Sequence, residues 1–154
     1  MRTHYEITES PLSLDALVER VTDPSSGAVA TFTGTTRNSF MSKAVQYLEY
    51  EAYAPLAEQV LGEIGTEIAA RWPSVAAVAI AHRVGRVEIG EASVIVVVSA
   101  PHRREALAAC AYGIDRLKAV LPVWKKEVLA DGKVWRENAP VDRTGEVERG
   151  GEPP

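Results

Sequence analysis

The sequence predicts an α+β domain, with helices packed on a largely antiparallel sheet, and three observations predict it. Segments with apolar residues at helical spacing are interleaved with runs of β-formers, so both element types must contribute to one core. Two of those runs, residues 75–81 and 92–99, are almost continuously apolar, the pattern of strands covered on both faces. Near the end of the chain, Asp131-Gly132 separates two strand-like segments and signals a hairpin.

Each element has its own local reason. Residues 4–8 alternate weakly and read as a first strand. Ser13 can cap a short helix that carries Leu14, Leu17, Val18 and Val21 on one face. Residues 27–34 are rich in β-formers and read as a strand, which runs into a polar loop at 35–42 holding Arg37. Residues 45–51 alternate apolar and polar and form the next strand. Pro55 suits the first turn of a helix. On that helix Leu56, Val60, Leu61, Ile64, Ile68 and Trp72 recur at helical spacing until Pro73 stops it. After the two apolar strands, Pro101 begins the last long helix. Its stripe of Leu107, Cys110, Ile114, Leu117 and Leu121 steps by 3, 4, 3 and 4, and Pro122 ends it. Segments 123–129 and 133–137 are the arms of the hairpin. Residues 139–154 are charged and rich in Gly and Pro, with two valines to bury, so they read as a flexible C-terminal tail after one domain spanning 1–138.

Composition narrows the function classes. The length of 154 residues is that of a single domain, and 46% apolar with 25% charged residues excludes a disordered or fibrous chain. Twenty-one acids against seventeen bases leave a net charge of −4, so general binding of nucleic acid is excluded unless a basic patch is concentrated locally. The single cysteine, Cys110, excludes an intramolecular disulfide framework and a Cys-rich zinc site. It lies on the buried helix stripe and reads as a core residue. No apolar stretch is long enough to span a bilayer and no signal-peptide core follows Met1, so the expectation is a cytoplasmic chain without a membrane role. Walker, GxGxxG, HExxH and GxSxG motifs are absent, and no metal site is expected.

Charge is unevenly placed along the chain. Between residues 101 and 127, six cations (Arg103, Arg104, Arg116, Lys118, Lys125, Lys126) face three carboxylates, a local +3. His102-Arg103-Arg104 occupies a helix start, where cations oppose the macrodipole unless an anion binds there; the alternative is a solvated surface turn. Lys118 follows Leu117 at the edge of the apolar stripe, either snorkelling to water or held partly desolvated for chemistry. On a strand, Lys125 and Glu127 share one face while Trp124 and Lys126 share the other, so one lysine can enter a site while its neighbour meets solvent. Edge protection is the competing explanation for such lysines. His82 ends an apolar strand and reads as structural. From the residues alone the chain reads as a domain with a basic site for a phosphate or carboxylate.

The ordered segments resemble the catalytic (large) subunit family of molybdopterin synthase. They are Gly27-Ala28-Val29-Ala30-Thr31-Phe32-Thr33-Gly34-Thr35-Thr36-Arg37-Asn38, Leu48-Glu49-Tyr50-Glu51-Ala52-Tyr53, His82-Arg83-Val84-Gly85, Ser99-Ala100-Pro101-His102-Arg103, Ile114-Asp115-Arg116-Leu117-Lys118 and Pro122-Val123-Trp124-Lys125-Lys126-Glu127. The resemblance implies an α/β-hammerhead-type fold. It also implies conversion of cyclic pyranopterin monophosphate to molybdopterin, with sulfur brought as a thiocarboxylate on the C-terminal Gly-Gly of a small ubiquitin-like partner. The partner then supplies the nucleophile, so no cofactor is implied. Lys118 and Lys125 are implied as catalytic, and Arg37, His102 and Arg103 as contacts to pterin and phosphate, with Thr35, Thr36, Lys126 and Glu127 nearby. A homodimer flanked by two small subunits is the implied assembly. Two other functions fit the same basic residues: a non-catalytic module for a phosphorylated small molecule, and an RNA-associated domain, which the net charge disfavours.

Overall fold

The computed structural model describes residues 1–137; the tail expected at 139–154 lies outside them. In chain order the elements are β1 (Arg2–Thr8), α1 (Leu14–Val21), β2 (Ala28–Thr35), β3 (Ser39–Phe40), β4 (Lys43–Ala52) and α2 (Ala54–Arg71). They continue with β5 (Ala77–Arg83), β6 (Gly85–Glu88), β7 (Ala92–Ala100), α3 (Arg103–Val120), β8 (Val123–Leu129) and β9 (Val134–Glu137). The expected α+β class holds, and the strands divide into two sheets. The first runs β1-β5-β7-β2, with β1 and β5 parallel and the other neighbours antiparallel. The second runs β3-β4-β8-β9, with β6 also paired to β4, and is antiparallel throughout.

Helices on both faces of the first sheet explain its continuously apolar strands. Leu17 and Val21 of α1 pack on Ala77, Ala79, Ala81, Ile95 and Val97. On the opposite face α2 and α3 bring Leu61, Ile64, Ile68, Ile114 and Leu117 against Val78, Ile80, Val94, Val96 and Val98. Each large aliphatic side chain buried here contributes roughly 1.5–3 kcal/mol, which makes this layer the main source of stability. Ser13 accepts a hydrogen bond from the Ala16 N–H and caps α1 as its position predicted, and Pro55 lies in the first turn of α2.

The helix stripes are shifted from the expected ones. Leu107 was expected in the buried stripe of α3 but is 61% exposed, and Leu14 and Leu56 are exposed as well. Small residues take the inner face of α3: Ala106, Ala109 and Gly113 are buried. A Cβ on Gly113 would stand 3.2 Å from Val96 Cγ1, so helix and sheet approach closely where side-chain bulk is least. The sequence pattern favoured the larger residue because it ranks hydrophobicity and ignores clearance.

The second sheet has a small core of its own, built from Val45, Leu48, Tyr50, Val87 and Leu129. Phe40 and Trp135 meet over it with ring centroids 5.7 Å apart. The segment expected as an open loop at 35–42 contains β3, closed by a tight turn in which Met41 and Ser42 take φ of 48° and 64°. The chain passes from the first sheet to the second through Val84, whose N–H donates to the Thr8 carbonyl at 2.8 Å, and Gly85 at φ +80° opens β6. Among the described residues no helix is long and apolar enough to cross a membrane.

Candidate active site

A pocket of about 170 Å³ lies where the second sheet meets the edge of the first. Phe32, Gly34 and Thr35 reach it from β2, Arg37 and Ser39 from the following segment, and Leu48 and Tyr50 from β4. Ser93 of β7, Lys118 of α3, and Lys125 with Glu127 of β8 complete the lining. Three cations thus share the space with one carboxylate, which suits an anion. The Lys125 ammonium stands 3.6 Å from the Glu127 carboxylate, and Glu127 is buried.

Local structure places each of these groups. The alternation of β8 puts Lys125 and Glu127 on one face, as the sequence predicted, and the structure makes that face the inner one. A register shift at Gly34/Thr35 leaves Ser93 as the extra residue between Val94, paired with Gly34, and Ala92, paired with Thr35. Such a bulge re-aims side chains at a sheet edge, and here the Ser93 hydroxyl donates to the Gly34 carbonyl at 3.4 Å. Gly34 must be small, because a Cβ would stand 2.7 Å from Val94 Cγ1. Lys118 occupies the last turn of α3, where the helix dipole favours a cation. It is exposed and lines the pocket.

Other sequence candidates lie elsewhere. Lys126 points to the opposite face of β8 and pairs with Glu49 at 3.0 Å. Thr36 is buried beside the pocket rather than lining it. Its N–H donates to the Glu91 carbonyl at 3.0 Å, its carbonyl accepts from the Gly90 N–H at 2.9 Å, and its hydroxyl has no hydrogen-bond partner. His102 is the N-cap of α3 and Arg103 its first residue, both exposed. Helix α3 is continuous from Arg103 to Val120, so Arg103 and Lys118 stand roughly 22 Å apart along its axis. One chain does not bring them together. Arg116 is also taken up elsewhere: its guanidinium donates to both oxygens of Glu67 at 2.9 and 3.1 Å, and Tyr112 donates to the same carboxylate at 2.6 Å. The Arg116 hydrogen bonds hold the Glu67 carboxyl below its ordinary range.

Phe32, Ser39, Leu48, Tyr50 and Ser93 were not among the sequence candidates. For Tyr50 the alternation of β4 was a usable signal, whereas the bulge that turns Ser93 leaves no trace in composition or spacing. Cys110 is buried, its thiol is pushed up to about 11 by burial, and Sγ contacts the Val96 carbonyl at 3.7 Å; it is a core residue, not a nucleophile. His82 is buried, with Nδ1 2.7 Å from the Arg83 carbonyl. Among the described residues no group of three or more His, Cys, Asp or Glu is placed to hold a metal ion.

Comparison with known proteins gives this geometry a context. The family model described as MoaE protein matches residues 7–120. A molybdopterin synthase catalytic subunit from Bacillus subtilis (strain 168) is 44% identical over 131 residues, 85% of this chain and 83% of that protein. A solved structure of molybdopterin synthase from Staphylococcus aureus superposes with a TM-score of 0.82 at 39% identity, covering 86% of this chain and 96% of that one. A chain from the complex of subunits 1 and 2 of the molybdopterin-converting factor of Helicobacter pylori 26695 shares the fold, with a TM-score of 0.71 at 23% identity over 96% and 97% of the two chains. A family match over most of the domain, and a relative this similar along nearly its whole length, mean that the chain belongs to the MoaE protein family of molybdopterin synthase catalytic subunits.

Proposed function

We propose that this chain converts cyclic pyranopterin monophosphate to molybdopterin in the cytoplasm, taking sulfur from the C-terminal thiocarboxylate of a small ubiquitin-like partner. The observation that carries the reading is the convergence of Arg37 from the β2–β3 connection, Lys118 from α3 and Lys125 from β8 on one pocket. Opening a cyclic phosphate develops negative charge, and fixed cations aimed at it stabilise the transition state. A thiocarboxylate is already a competent nucleophile, so the chain needs to orient it rather than activate it. In this scheme Lys118 and Lys125 act on the reacting groups, Arg37 and Thr35 hold the substrate, and Glu127 fixes the Lys125 ammonium.

The pocket is small for the task. Ligand sites usually enclose about 300–1,000 Å³, and this one holds about 170 Å³. A second copy completes it in our reading. In a two-fold dimer, the His102–Arg103 end of one α3 can lie against the Lys118 region of the other, so the far end of the helix supplies the missing anion contacts. The Helicobacter pylori relative was solved as a complex of two kinds of subunit, which fits the proposed partner.

The test is reconstitution. The chain is mixed with thiocarboxylated partner and cyclic pterin monophosphate, and dithiolene formation is assayed. Turnover that requires both the thiocarboxylate and Lys118 is expected. Tight binding of the pterin without sulfur incorporation would identify a binding module instead. Replacing the partner's last glycine with a bulky residue should slow transfer far more than it weakens docking, because a glycine lets the tail pass closest to the lysines.

A further inference from the structure

We propose that His82 is a positioning residue of the pocket, whose ring contact with Tyr50 sets the spacing between Lys118 and Lys125. The two lysines belong to different layers. Lys118 rides on α3, which packs on β2 and β7 of the first sheet. Lys125 lies on β8 of the second sheet, opposite Tyr50 in the β4–β8 register. His82 is the penultimate residue of β5 in the first sheet, and Tyr50 belongs to β4 in the second. Their rings meet edge to face, centroids 5.0 Å apart at 78°, so the contact crosses from the layer that carries one lysine to the layer that carries the other.

The imidazole is built to stay fixed. It is 3% exposed at the end of a strand whose other residues are apolar up to Arg83, a place where a polar ring is costly unless its groups are satisfied. A carbonyl can only accept, so the 2.7 Å contact to the Arg83 oxygen assigns the proton to Nδ1 and fixes both tautomer and ring plane. Burial, together with the nearby Lys118 ammonium, pushes the ring's pKa down to about 4, so no second cation forms behind Lys118 at neutral pH. Tyr50 lines the pocket directly, and His82 acts on the site through it.

The kinetic part of this inference rests on the reaction proposed above; the geometric part does not. Two variants separate the ring from its hydrogen bond: His82→Phe keeps a ring against Tyr50, and His82→Asn keeps a donor for the Arg83 carbonyl. The purified chain with its thiocarboxylated partner is assayed for kcat and KM. In parallel, the Lys118–Lys125 link formed by a short bis-imidoester is quantified by mass spectrometry, and melting temperature controls for folding. His82→Asn is expected to lower the cross-link yield at least threefold and kcat at least tenfold, with KM within threefold. His82→Phe should stay within about twofold of the parent in both. Tyr50→Leu approaches the contact from the other side, so it decides the matter even if His82→Asn does not fold. The double variant should lose no more cross-linking than either single one. An unchanged yield in folded His82→Asn and Tyr50→Leu, or losses that merely follow melting temperature in all variants, overturns the positioning role. A lowered yield with turnover insensitive to Lys118→Ala keeps the positioning role and sinks the reaction scheme instead.

Discussion

At the scale of single residues, the two lysines of β8 are the clearest case of neighbours with different roles. Lys125 faces the pocket, while Lys126 faces Glu49 on the outer surface of the sheet. Lys118→Ala and Lys125→Ala should each lower kcat about 100-fold or more, the scale of removing one preorganised charge or donor. Lys126→Ala should cost less than about threefold, and all three should melt near the parent. Steady-state kinetics alongside thermal unfolding checks this, and a Lys126→Ala defect equal to that of Lys125→Ala contradicts the assignment. His82 gives a pH prediction. Its pKa is about 4 when folded and near 6.5 when unfolded, so protonation favours the unfolded chain. Its contribution is fully present above pH 6.5 and is lost as pH falls toward 4, roughly 3 kcal/mol in total. Asp23, Glu67 and Glu91 are held below their ordinary values of 3.8 or 4.5, so their losses come at lower pH. Urea unfolding at pH 7 and pH 4.5 should therefore show a drop in the parent that His82→Phe largely removes. Charge asymmetry and strand alternation are local properties, so they draw attention to Lys118, Lys125 and Glu127. The roles of these residues, and Arg37 altogether, come from the family resemblance. Sequence reasoning did not find Ser93 or Phe32, whose places depend on a bulge and on the approach of two sheets.

At the scale of elements, the packing of α2 depends on a residue that the apolar pattern passes over. Gly65 is buried, and a Cβ there would overlap the Tyr5 hydroxyl and stand 2.8 Å from the ring carbon that bears it. Alanine is favoured over glycine in a helix interior by about 1 kcal/mol. Gly65→Ala should nevertheless destabilise the chain, because the Tyr5 ring must leave its seat against α2. In a Tyr5→Leu background the same substitution should become neutral or stabilising, and a double-mutant cycle by urea unfolding reads the reversal. The strands and helices themselves were legible because their periods differ, and β5 and β7 were legible as doubly covered strands. The short β3 and β6 were not. With two and four residues they carry too little pattern, and they exist because β4 offers backbone groups to pair with. The division into two sheets escaped for a similar reason, since it is decided by which long-range pairings form.

At the scale of the whole molecule, the length of α3 makes the oligomer a functional question. With Arg103 and Lys118 roughly 22 Å apart, an Arg103→Ala chain and a Lys118→Ala chain should each be inactive alone. Mixed and allowed to exchange, they should regain part of the activity, because a heterodimer rebuilds one intact site from two damaged copies. Heterodimers that form and stay inactive contradict sharing. The two-residue period of β8 also bears on how this family can vary in length. Residues added at the hairpin tip around Asp131-Gly132 fall beyond the last paired strand positions and leave the pocket alone. A single residue inserted between Leu121 and Trp124, if the strand slides to absorb it, exchanges the faces and presents Trp124 and Lys126 where Lys125 and Glu127 stood. Length drift in evolution should therefore be tolerated at the tip and purged at the root of the same hairpin.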